Sequence, residues 1–128
     1  MNQTYDFVII GAGPAGLAAA LEADKQKLSV LVLDEQPEAG GQIYRSISTT
    51  KLLRPETYSL LGPDYQVGLT LEHSFRQSGV HYIPGASVWQ VEPDRSVLYL
   101  RNGDVRQVGA RRLLIATGAM ERPVPIPG

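Results

Sequence analysis

Apolar residues fall in short runs near the start of the chain, and their spacing predicts a strand–helix–strand unit. Residues 5–10, "YDFVII", are a short apolar run rich in β-branched side chains, the pattern of a strand buried on both faces of a parallel sheet. The glycine-rich "GAGPAG" follows at 11–16, and then "LAAALEADKQK", whose alanines favour helix. "LSVLVLDE" at 28–35 predicts a second buried strand ending in two acids. A helix this close to its next strand normally stops on a left-handed residue, a position that suits glycine. "DKQKLSV" offers no glycine, so Lys27 is expected to take a positive φ at a cost of about 1 kcal/mol.

The pattern is weaker over residues 36–66, which hold Gly40, Gly41, Gly62 and three prolines and predict a functional loop with at most short helical turns. "VGLTLEHSFRQS" at 67–78 predicts a helix with Leu71, Ser74, Phe75 and Ser78 on one side, stopped by Gly79. "VHYIPG" at 80–85 is the expected third core strand. Then the period changes. "ASVWQVE", "SVLYL" and "VRQVGA" are split by the turn pairs Pro93-Asp94 and Asn102-Gly103, predicting a three-stranded antiparallel meander. "RRLLIA" at 111–116 is expected as a further, separate and buried strand. Together these elements predict an α/β, Rossmann-like fold: a parallel, doubly wound sheet with the meander crossing one side.

Composition narrows the function. A chain of 128 residues is one domain. With 20% charged residues and a net charge of −1, it carries no field suited to nucleic acid or an anionic membrane. No apolar run is long enough for membrane insertion. The start "MNQTYDFVII" lacks a signal-peptide pattern, so a cytoplasmic location is expected. Cysteine is absent, which excludes disulfide, thiolate-metal and dithiol redox chemistry within these residues.

The candidate chemistry lies in the glycine turn. Gly11, Gly13 and Gly16 satisfy G-x-G-x-x-G between a predicted strand and helix, and Asp34 answers them eighteen residues after Gly16 at the end of the second strand. Gly11 allows the tight turn, Gly13 lets the backbone approach a pyrophosphate, and Gly16 lets helix and strand pack closely. The helix start presents unpaired N–H groups to the anion. Pro14 stands where a missing N–H costs little. Asp34 can accept both ribose hydroxyls of an adenosine, and its charge argues against a 2′-phosphate. Glu35 is the second candidate acid. Adjacent strand residues point to opposite faces, so one acid faces the ligand and the other solvent, and Asp34 is preferred. An adenine dinucleotide, FAD or NAD, is the expected ligand.

The segments "GAGPAGLAAA", "DEQPEAGGQIYR" and "LLIATGAMERPVPIPG" resemble the FAD/NAD-linked disulfide-oxidoreductase superfamily. More narrowly they resemble the larger subunit of the opine oxidase, hydrogen cyanide synthase and dye-linked proline dehydrogenase group. The resemblance implies FAD as cofactor and residues 1–128 as the front part of an FAD-binding domain in a longer subunit. It further implies oxidation of a small secondary amine or amino acid, with a second flavoprotein subunit as partner. Carried over by position, Gly11, Gly13, Pro14, Ala15 and Gly16 would hold the pyrophosphate, and Asp34 the ribose. Gly41 and Gln42 would cover the cofactor near its diphosphate, and Arg45 would reach a phosphate. Val88 would meet adenine through its backbone. Ala116, Thr117 and Gly118 would form a small-residue turn that lets the cofactor approach. The loop "GGQIYRSIS" lacks the cysteine pair of glutathione-reductase-like relatives and excludes that subclass. A thioredoxin-reductase-like protein and a non-catalytic nucleotide-binding subunit or scaffold stay open.

No residue is assigned to catalysis. His73 and His81 are expected to be structural, Trp89 and Tyr99 to pack, and Arg111 and Arg112 to be solvated. No metal site is expected.

Overall fold

A computed structural model describes residues 2–44, 47–119 and 123–127. Its first elements are strand β1 (Thr4–Ile10), helix α1 (Pro14–Lys25) and strand β2 (Val30–Asp34). β2 lies parallel to β1, with Phe7 opposite Val30 and Ile10 opposite Leu33. Every residue of β2 is buried, as a strand covered on both faces requires. α1 closes in a Schellman arrangement: the Lys27 N–H donates to the Asp24 carbonyl at 2.9 Å and the Leu28 N–H to the Ala23 carbonyl at 3.2 Å. Lys27 has φ 60°, so a lysine fills the left-handed position usually given to glycine.

Residues 36–66 depart from the expected loop. They carry α2 (Ile47–Leu53), α3 (Pro55–Leu60) and the first turn of α4 (Gly62–Gln77). Pro55 and Pro63 stand in the first turns of α3 and α4, where no N–H is needed, so they start helices instead of breaking them. α4 buries Gly68, Glu72 and Phe75, while Ser74, expected on the buried side, is exposed. The helix ends on Ser78 in extended conformation (φ −77°, ψ 169°), so Gly79 is not a left-handed stop. Gly79 is instead crowded by Asp24, whose Oδ1 lies 3.0 Å from where a Cβ would stand.

Four strands follow: β3 (His81–Pro84), β4 (Ser87–Val91), β5 (Ser96–Arg101) and β6 (Asp104–Ile115). Among the described residues the six strands form one sheet in the order β3-β2-β1-β6-β5-β4. The meander forms as expected, but its third strand and the returning strand are one. β6 pairs antiparallel with β5 from Asp104 to Gly109, then parallel with β1 from Gly109 to Ile115. Gly109 is the switch point, where a Cβ would meet Thr4 Oγ1 at 2.8 Å. Beyond it β5 no longer flanks β6, and the expected burial fails: Leu113 and Leu114 are half-buried and Ile115 is 64% exposed.

Two apolar layers hold the sheet. On one face the meander folds over the parallel strands, and Val97, Tyr99 and Val108 pack with Val8, Ile10, Leu31 and Leu33. On the other, Leu17, Ala20 and Ala23 of α1 and Phe75 of α4 pack with Ile9, Val30 and Val32. Each fully buried aliphatic side chain contributes about 1.5–3 kcal/mol. His81 has a structural part, its Nδ1 lying 2.6 Å from the Tyr5 hydroxyl. Trp89 is 56% exposed and so packs less than expected. Arg111 is solvated and stands 3.7 Å from Asp6. No helix among the described residues is long and apolar enough to cross a membrane.

Candidate functional site

The glycine turn is built by close backbone approach. Gly11 has φ 108°, and a Cβ there would collide with the Ala116 carbonyl. Its N–H donates to the Leu33 carbonyl at 2.8 Å, and the Ala116 N–H donates to the Ile10 carbonyl at 2.8 Å. These bonds tie the ends of β1, β2 and β6 at their carboxyl edge, where open α/β sheets bind ligands. A Cβ on Gly16 would collide with the Gly11 carbonyl, so Gly16 sets the closeness of α1 to β1.

Gly13 is different. Its φ of −77° suits any residue, and a Cβ there would meet Gly41 Cα at an ordinary 3.8 Å. Packing within the chain therefore does not demand glycine at 13, whereas the close approach of a pyrophosphate to such a turn would. Gly13 is the N-cap of α1 and supplies no side-chain cap, and Pro14 follows within the first turn. The twelve-residue helix thus turns uncapped N–H groups, and the positive end of its dipole, toward the turn. Ala15 is exposed and keeps this rim low.

A second loop closes against the first. The Gly40 N–H donates to the Ala12 carbonyl at 2.8 Å. Gly41, at φ 61°, leaves space for no side chain, since a Cβ would stand 2.8 Å from Gly13 Cα. Gln42 reaches across to the third loop, its Nε2 donating to the Ala119 carbonyl at 3.3 Å. Thr117 and Gly118 are exposed on that loop, and open space surrounds Gly118. Tyr44 anchors the second loop from behind. Its N–H donates to the Gly40 carbonyl at 3.1 Å, and its ring sits where a Cβ on Gly68 of α4 would be. Arg45 lies outside the described residues.

Asp34 ends β2 beside this crevice and is 8% exposed. Its Oδ1 accepts a long bond of 3.4 Å from the Gln36 N–H, and its Oδ2 is buried with no partner. Burial pushes its carboxyl above the usual carboxylate range, and the neighbouring Glu35 adds to this against the backbone N–H donors. An under-satisfied buried acceptor at this point suits a sugar hydroxyl, which would supply a donor. Glu35 is exposed. Val88 lies on β4, the edge strand, which presents a row of backbone groups outside the sheet. The Ala86 N–H donates to the Asp34 carbonyl at 2.8 Å and so keeps the start of β4 beside the acid.

The structure thus brings together Gly11, Gly13, Gly41, Gln42, Ala116 and Thr117, with Asp34 and the Val88 strand at one end. Two participants were not singled out in the sequence. Gly40 holds the second loop to the first, and the doublet "GG" was its signal. Tyr82 places a phenol hydroxyl, buried and without a partner, in the strand next to Asp34. Its signal was one phenol in the otherwise ordinary strand "VHYIPG".

Comparison with known proteins gives this crevice a context. An opine oxidase subunit of Rhizobium meliloti is 46% identical over 136 residues, covering all of this chain and 25% of that protein. The crystal structure of L-proline dehydrogenase from P. horikoshii matches 96% of this chain and 24% of its own, with a TM-score of 0.71 and 25% identity. Thioredoxin reductase from Streptococcus pyogenes MGAS5005 matches all of this chain and 40% of its own, with a TM-score of 0.64 and 28% identity. The chain spans about a quarter of the length of the curated relative it matches. A family model described as pyridine nucleotide-disulphide oxidoreductase matches residues 5–128. That range takes in β1, the glycine turn, the acid and the meander, and the chain belongs to the pyridine nucleotide-disulphide oxidoreductase family.

Proposed function

We propose that this chain is the FAD-gripping part of a flavin-dependent oxidoreductase that oxidises a small secondary amine or amino acid together with a second subunit. The observation that carries the reading is the pairing of Gly13 with Asp34. One leaves a gap that packing does not require, and the other offers a buried carboxylate oxygen with no partner. A dinucleotide supplies a pyrophosphate for the first and a ribose for the second.

In this reading the N–H groups of the first turn of α1 receive the pyrophosphate, and Gly13 lets it approach to hydrogen-bond distance. Asp34 accepts from the ribose hydroxyls and orients the adenosine. The backbone of β4 near Val88 meets the adenine edge. Gly41 and Gln42 wall the crevice, and the Ala116–Gly118 turn leaves room for the ribityl side. FAD, when bound, accepts the two electrons taken from the substrate. The chain's own part is binding, orientation and exclusion of water, and none of its described side chains is assigned to the chemical step. The likeness to an opine oxidase subunit and to proline dehydrogenase supports an amine or amino acid as substrate and a multi-subunit parent.

The likeness to thioredoxin reductase supports a second reading, an FAD-dependent reductase of a pyridine nucleotide. Titration of the chain with FAD and with NAD, followed by fluorescence, tests the cofactor. Saturable FAD binding that Gly13→Ala weakens is expected, and binding insensitive to both Gly13→Ala and Asp34→Ala overturns the site. Oxidation of NADH by the parent enzyme without its partner would favour the reductase.

A further inference from the structure

Among the described residues, two buried side-chain oxygens have no hydrogen-bond partner: Asp34 Oδ2 and the Tyr82 hydroxyl. They belong to adjacent parallel strands, where Tyr82 is opposite Val32 and Asp34 opposite Pro84. Val30 and Val32 pack on the helix-covered face, and so does Tyr82. Alternation along β2 puts Asp34 on that same face. The Tyr82 ring is fixed from below by Phe75 of α4, edge to face at 5.2 Å between centroids. After burial itself, the Asp34 carboxylate acts most strongly on the phenol and raises its pKa, followed by Glu38.

The two orphans are chemical complements. An ionised carboxylate oxygen only accepts, and a phenol carries one proton to donate. The Asp34 terminal torsion is broad and the phenol hydrogen rotates freely, so each group can turn toward a partner on the face they share. Left unpaired, each orphan bears the uncompensated cost of its own desolvation.

The geometry points to Tyr82 as the positioning residue of Asp34: its hydroxyl donates to one lone pair of Oδ2 as the nucleotide seats, fixing the carboxylate so that the remaining lone pairs serve the ribose. This rests on the reading of Asp34 as the ribose acceptor. Tyr82 touches neither ligand nor reacting atoms and acts only through the carboxylate. The charged groups around the pair are Glu35 beside Asp34, Glu38 in the following loop, and Glu72 and Arg76 on α4. Burial and Glu35 oppose ionisation of Asp34, so one donor from Tyr82 has a clear task.

The test is the pH profile of ADP-ribose binding to the chain, by calorimetry, for wild type, Tyr82→Phe, Asp34→Asn and the double variant. ADP-ribose keeps its pyrophosphate charge across the range, so the profile reports the protein. Wild-type affinity is expected to rise with pH as Asp34 ionises. Tyr82→Phe is expected to move the midpoint upward by about one pH unit and to weaken binding about tenfold below it, with a smaller loss above it. In the Asp34→Asn background the same change should do nothing further. A loss equal at every pH, with the midpoint unmoved, would mean a merely structural tyrosine and overturn the proposal. The same loss in both backgrounds overturns it too, and this comparison holds even where Tyr82→Phe lowers the melting temperature. A wild type that binds no ADP-ribose at any pH overturns the ribose reading of Asp34, and the positioning role with it.

Discussion

Gly41 lies against Gly13, so closely that a Cβ on Gly41 would stand 2.8 Å from the Gly13 Cα. The reverse contact is relaxed, because a Cβ on Gly13 would meet Gly41 at 3.8 Å. The fold therefore demands glycine at 41 and not at 13, and in the function proposed above the ligand demands it at 13. Gly13→Ala is expected to cost no more than about 1 kcal/mol of stability, the difference between glycine and alanine at an N-cap. It is expected to weaken FAD or ADP-ribose binding tenfold or more. Gly41→Ala should lower both stability and affinity. Thermal unfolding and calorimetry on both variants separate the two; a Gly13→Ala chain that binds as well as wild type removes the pyrophosphate from this turn.

Gly11→Ala and Gly16→Ala meet backbone carbonyls instead of open space. Gly11 adds the strain of φ 108°. Neither neighbour yields without moving a strand end, so each substitution is expected to cost on the order of 3 kcal/mol. Urea denaturation should show the loss as an earlier midpoint with an unchanged slope.

Asp34 sets a pH dependence of known sign. Its folded pKa is raised, so in the free chain the folded state holds the proton more tightly than the unfolded state. That contribution is full below the unfolded carboxyl value of about 3.9 and is lost as pH rises through the folded value. Asp34→Asn is expected to flatten this part of the stability curve and to leave the free chain at least as stable at neutral pH. The same variant should bind ADP-ribose tenfold or more weakly. Chemical denaturation from acid to neutral pH checks the first statement. A variant less stable than wild type at neutral pH would contradict the raised pKa.

Lys27 carries the left-handed turn that closes α1 at φ 60°. Its side chain is exposed, and nothing in the turn depends on it. Lys27→Gly is expected to stabilise the chain by about 1 kcal/mol, with binding unchanged. A melting temperature that stays level or falls would show that the unfolded-chain entropy of glycine cancels the relief of strain.

The sequence alone was enough for the strand–turn–helix–strand unit, for the tight turn at Gly11 and the close packing at Gly16, for the opposite facing of Asp34 and Glu35, and even for the positive φ of Lys27. These are local matters, decided by side-chain period, by the absence of a Cβ and by what a helix end must do with its last carbonyls. Residues 36–66 resisted because Pro55 and Pro63 look like breaks until it is known that they open helices, and α2 and α3 are short and held by packing. β6 was divided in two because the partner strand changes at Gly109 while the strand itself continues. The reasons behind the glycines needed the fold as well. Gly11 answers to Ala116 and Gly41 to Gly13, across intervals of sequence that no local pattern spans. Tyr82 became visible for the same cause: a hydroxyl is an orphan only once the strands, α4 and Asp34 have enclosed it, and enclosure is a property of tertiary packing.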